Sequence, residues 1–252
     1  MKKLWKQVDG LLRGREAFAS ETALQQISVG QLVVMTILLA AVYGAFMGLF
    51  AIFVRPEAEY RQLLSSMWKV PALYLLTLFI CYPSLYVFST LLGSRLSFKA
   101  TLTLLVAATT ITVTVLASFG PITGFFALST ESYPFMKLLN VAFFGVAGLL
   151  GVGALLKAWH SLMQSAPPAQ PTGDVPPPIA PPVVMPPRID ETTRGINRVF
   201  RVWIVIYALV GCQMAWVLRP FVLDPRTEFA WFRERYANFF VDVWHTFWHL
   251  LK

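Results

Sequence analysis

Residues Gln31 to Val54 read QLVVMTILLAAVYGAFMGLFAIFV, without a Lys, Arg, Asp or Glu. Lipid offers no hydrogen-bond partners, so a backbone crossing it must satisfy its amides internally. An apolar run of roughly 17–25 residues does this as a transmembrane helix. Four further charge-free runs follow: Val70 to Ser94, Ala100 to Ser118, Leu138 to Leu156, and Val202 to Leu218. Five buried helices of a water-soluble protein would need a larger polar shell than 13% charged residues can supply. The expected fold class is all-α: a polytopic helical membrane protein with five transmembrane helices and an aromatic-rich amphipathic helix at the C-terminal end.

The charged residues sit between the runs. The net charge is +8, and anionic headgroups with the positive-inside bias account for it. A nucleic-acid partner is not expected, because no basic stripe is interleaved with stacking aromatics outside the spans. Lys and Arg are more numerous in the lead and in the loops after spans two and four than on the opposite side. That places the N-terminus in the cytoplasm, and an odd number of spans then sends the C-terminal tail outside. Lys137, beside Glu131 in the loop after span three, suits the outer face. No cleavable signal peptide is expected, since Lys2 and Lys3 are far from the first apolar run and no small-residue cleavage site follows a short apolar core. Cys81 and Cys212 both fall inside spans, where they act as small, inert hydrophobes.

The chain divides into a basic lead (1–30), a four-span block (31–161), a proline-rich tether (162–190), a fifth span (191–222) and the C-terminal helix (223–252). In the lead, Leu4, Trp5, Val8, Leu11 and Leu12 share one side of a helix, which suits the headgroup plane or a solvated arm equally. Most of the seventeen prolines fall in the tether, including Pro176, Pro177 and Pro178. Proline has no amide donor, so this segment is extended and solvated. A spacer is the plainer reading, and a ligand for an aromatic-groove domain is the alternative.

Two spans carry small residues at helical spacing. In the first, Thr36, Ala40, Gly44 and Gly48 recur every four residues. In the fourth, Ala147 and Gly151 form a looser set with Gly145, Gly148 and Gly153 around them. Small side chains let helix backbones approach closely where burial from water no longer drives association. The spacing serves packing within one chain and between chains alike. Thr103, Thr109, Thr110, Thr112 and Thr114 spread around span three, and each hydroxyl is expected to bond back to its own helix.

Between Thr227 and Lys252, the residues Arg235, Asn238, Asp242, His245 and His249 alternate steps of three and four and form one polar stripe. The remaining faces are bulky, with Phe239, Phe240, Trp244, Phe247 and Trp248 among them. Trp and Tyr favour the membrane interface. The expectation is a helix lying on the bilayer with its stripe toward water. Asp242, His245 and His249 could also present a metal site, but helical histidine pairs are common without metal, so no metal and no cofactor is assigned. The third reading has the stripe lining an aqueous path in an oligomer.

The basic lead, the five spans and the turn Gly93-Ser94-Arg95-Leu96-Ser97-Phe98-Lys99 resemble bacterial members of the Yip family, relatives of Rab-GTPase-interacting membrane proteins. The resemblance implies a bacterial inner-membrane location and a non-enzymatic organiser or adaptor. It carries over no site residues, and the tether and aromatic tail depart from it. No nucleophile elbow, phosphate-cradling loop or carboxylate pair is present to suggest an enzyme. The functional expectation is a non-catalytic membrane scaffold or accessory subunit whose partners are the bilayer and other membrane proteins or further copies of itself. The alternative is an oligomeric channel or transporter using the polar stripe.

Overall fold

Each charge-free run closes its own backbone hydrogen bonds, and every regular element among the described residues is a helix. A computed structural model describes residues 28–54, 60–91, 97–165, 189–219 and 238–251. Residues 1–27 of the basic lead, 166–188 of the tether and Arg235 lie outside them; the two ends expected to belong to the extended tether, 162–165 and 189–190, are instead helical. The elements are α1 (Val29–Val54), α2 (Tyr60–Leu91), α3 (Phe98–Ser118), α4 (Gly120–Ser129), α5 (Tyr133–Ser165), α6 (Ile189–Leu218) and α7 (Phe239–Leu251). Five stretches are long and apolar enough to cross a membrane: Val29–Phe53, Tyr60–Val87, Phe98–Ser129, Tyr133–Trp159 and Phe200–Leu218. The chain is an integral membrane protein by that measure.

The third crossing is longer than its charge-free core. Ser97 caps α3 by accepting from the Ala100 amide at 3.3 Å. After Ser118 the chain turns at Phe119 and resumes as α4, with Pro121 in the first turn. There the missing N–H has no intrahelical role and the fixed φ favours the helix. The Gly120-Pro121 pair therefore starts a helix where the sequence reads as loop. Pro71 and Pro83 lie inside α2, which continues through both, as membrane helices tolerate when neighbours satisfy the freed carbonyls.

The helices alternate in direction. Gly44 of α1 faces Ser66 of α2 and Gly48 faces Leu63, an antiparallel register. α1 is the hub, packed against α2, α3 and α4, while α5 lies on α3 and α6 on α2. Two apolar cores fill the bundle. One gathers Leu32, Leu104, Trp159 and Trp203, and the other gathers Tyr43, Met47, Phe50, Leu116 and Met136. The outside is apolar as well: Phe79 and Leu149 are each 75% exposed, an arrangement that suits lipid rather than water. α5 and α6 scarcely meet backbone to backbone. Their inner ends are bridged instead by the Trp159 and Phe200 rings, stacked with centroids 4.0 Å apart.

Candidate functional site

The small-residue face of α1 packs within the chain. Thr36, Ala40, Gly44 and Gly48 are all buried. A Cβ added at Gly44 would lie 2.5 Å from the Ser66 carbonyl oxygen, and one at Gly48 would lie 2.7 Å from the Leu63 Cα. Both obstacles are backbone, which cannot rotate aside as a side chain can. Hydrogen as the only substituent is what allows α1 and α2 to approach this closely.

The glycine set of α5 divides between two faces. Ala147 is fully buried, and a Cβ at Gly151 would collide with the Thr112 hydroxyl of α3. Gly151 therefore lies directly against α3. Gly145, Gly148 and Gly153 have nothing within 4 Å of an added Cβ. They serve no close approach among the described residues.

Polar bonds tie the spans together. Tyr43 donates its phenolic proton to Asn140 Oδ1 at 2.6 Å, and Asn140 Nδ2 donates to the Met136 carbonyl at 2.7 Å. Both side chains are buried, so each satisfies the other across α1 and α5. The Thr36 and Thr110 hydroxyls lie 3.0 Å apart and link α1 to α3. The Trp203 indole N–H reaches the Cys81 carbonyl at 3.3 Å and Ser84 Oγ at 3.1 Å, joining α6 to α2. In α3, Thr103, Thr109, Thr110, Thr112 and Thr114 each donate to the carbonyl four residues back at 2.7–3.0 Å, as expected.

The polar stripe of the C-terminal helix does not act as one unit. Asn238 caps α7 by accepting from the Val241 amide at 3.0 Å, so the described helix begins after it. Asp242 turns to the bundle and forms an ion pair with Lys137 of α5. The same ammonium donates to Thr246 Oγ1 at 3.0 Å and sits 5.8 Å from the Tyr133 ring centroid. Lys137 is thus part of a helix that holds α7, rather than a solvated loop charge. His245 and His249 are exposed, as are Phe240, Trp244, Phe247 and Trp248. The stripe therefore splits into a fastening carboxylate and two free-standing imidazoles, beside an outward aromatic face.

The end of α6 explains how the chain leaves the bundle. Arg219 adopts φ 41°, and its amide bonds the Ala215 carbonyl at 2.9 Å, the left-handed closure common at helix ends. Its guanidinium stacks 4.1 Å above the Trp216 ring. Gln213 is exposed and does not pair with it. Among the described residues, no three of His, Cys, Asp or Glu come close enough to hold a metal ion, and Cys81 and Cys212 are both free thiols.

No family model matches the chain, and neither the curated proteins nor the solved structures contain a match.

Proposed function

We propose that the chain is a non-catalytic integral membrane scaffold or accessory subunit, seated in a bacterial inner membrane with its N-terminus in the cytoplasm. The single observation that carries this reading is the way α7 is held. Lys137 grips Asp242 and Thr246 from the bundle side, and the opposite side of α7 offers Phe240, Trp244, Phe247 and Trp248 outward. Aromatic side chains of this kind serve both the bilayer interface and contacts with neighbouring membrane proteins. The rival reading, in which the stripe lines an aqueous path, needs Asp242 turned toward that path. Its engagement with Lys137 favours the scaffold.

The test uses the full chain purified in mild detergent, alone and as the Trp244→Ala, Trp248→Ala double variant. The expected outcome is a defined set of co-purifying membrane proteins that the double variant loses while the bundle stays folded. Reconstitution into vesicles gives the opposing arm: robust, saturable ion or solute flux would overturn the proposal. Orientation is checked by reporter fusions at Ala169 and Lys252, which should report opposite sides of the membrane.

A further inference from the structure

Between α5 and α6, where the two helices diverge, lies a cavity of about 490 Å³. Its floor is made by α2 and α3, and Phe239 of α7 closes the outer end. Gly145 and Gly148 of α5 and Gly211 of α6 form part of its walls. An added Cβ would meet nothing within 4 Å at the first two, and only a Thr77 methyl at 3.8 Å at the third. Hydrogen in place of a side chain at these positions leaves that part of the space open.

The chemistry of the walls is almost wholly apolar, with no Asp, Glu, Lys or Arg among them. The hydroxyls of Thr77, Thr109 and Thr112 donate to carbonyls of their own helices. Their protons are therefore engaged and their methyls remain as lining. Water gains little in such a space, and apolar cavities of this kind stay dry. An empty one would forfeit the dispersion contacts of its entire lining.

Shape selects the occupant. The lining residues of α5 run from Val141 to Leu155, about 21 Å along the helix at 1.5 Å per residue. Both wall helices cross the membrane, so the long axis follows the direction of the lipid tails. At about 30 Å³ per water-sized unit, the volume holds a chain of about sixteen methylenes, each similar in size to a water. A helix of another copy, 10–12 Å across, would need over about 1,000 Å³ for the same length. The opening faces sideways into lipid, since Gly145, Leu149 and Ala208 are exposed.

We infer that this cavity binds one acyl chain of a membrane phospholipid, held between α5 and α6 and capped by Phe239. The inference goes beyond the scaffold reading and stands or falls separately from it.

The test reconstitutes the full chain in vesicles of phosphatidylethanolamine and phosphatidylglycerol doped with a phospholipid carrying a diazirine on one acyl chain. After irradiation, labelled peptides are mapped. Label should concentrate in the peptides around 141–155 and 204–215, well above that on the lipid-facing surface near Phe79. Gly145→Leu with Gly148→Leu adds bulk to the space at positions where a Cβ meets nothing within 4 Å, and should lower cavity labelling several-fold. Gly153→Leu is the matched control, at a position where an added Cβ likewise meets nothing within 4 Å but which does not line the cavity, and should leave labelling unchanged. Even labelling of every lipid-facing surface would overturn the inference, as would undiminished labelling in the filled variant. Protein–protein cross-links emerging from the cavity peptides would assign it to a second copy and overturn it too. If the filled variant does not fold, the wild-type map decides alone.

Discussion

α1 and α5 both carry glycine and alanine at helical spacing, and the fold uses them in opposite ways. Along α1, Gly44 and Gly48 face backbone: the Ser66 carbonyl and the Leu63 Cα leave no room for a methyl. Along α5, Gly151 meets α3, while Gly145 and Gly148 border open space. The difference lies in the partner. α2 follows α1 after a short connection and lies antiparallel on it, whereas α6 leans on α2 and leaves the exposed side of α5 uncovered. A small-residue pattern therefore marks where a backbone is accessible. Whether another backbone arrives there is decided by the rest of the bundle.

The largest expected effect breaks the closed seam. Gly48→Leu forces α1 and α2 apart at a contact with backbone, and overpacking of this kind costs about 3 kcal/mol. The check is a lower unfolding midpoint in detergent, with loss of the monodisperse species. Next comes the polar link between α1 and α5. Asn140→Leu removes the acceptor of Tyr43 and should cost about 1–2 kcal/mol. Combined with Tyr43→Phe in a double-mutant cycle, the coupling should be about 0.6 kcal/mol, the average for hydrogen bonds between membrane helices, and at most about 1.7 kcal/mol. A coupling of zero would mean the two side chains do not meet.

A smaller effect probes how α7 is fastened beside the open groove. Asp242→Asn removes the charge that Lys137 grips, and for a partly exposed pair the loss is about 1 kcal/mol or less, reduced further by salt. It should show as faster protease cleavage of α7 while the bundle stays intact. His245→Gln with His249→Gln should leave cleavage unchanged, because both rings stand exposed. If the histidine pair proves more damaging than Asp242→Asn, the docking of α7 is misassigned.

The five spans were legible because charge-free length is a property of the sequence alone. The backward bonds of the α3 threonines were legible for a related reason, being local to one helix. The tightness of α1 could be read from its spacing, though not that its partner is α2. What the sequence concealed depends on distant pairs. Asn140 looks like an ordinary polar residue near the start of a span, and only the fold brings Tyr43 to it. The stripe of α7 reads as one hydrated face, yet Lys137 draws Asp242 out of it. The cavity was hidden for the same reason, since a glycine facing space and a glycine facing a helix are written with the same letter.

The central claim is that Gly44 and Gly48 of α1 close a seam while Gly145 and Gly148 of α5 border an opening. Alanine, with one methyl, tests it most directly at Gly44 and Gly148, by measuring the unfolding free energy of both variants in the same detergent. The account predicts that Gly44→Ala loses about 1–3 kcal/mol through collision with the Ser66 carbonyl. It predicts that Gly148→Ala loses nothing and gains up to about 1 kcal/mol of helix propensity. Equal losses at both positions would contradict it, because Gly148 would then be packed against a neighbour and the groove between α5 and α6 would not be open.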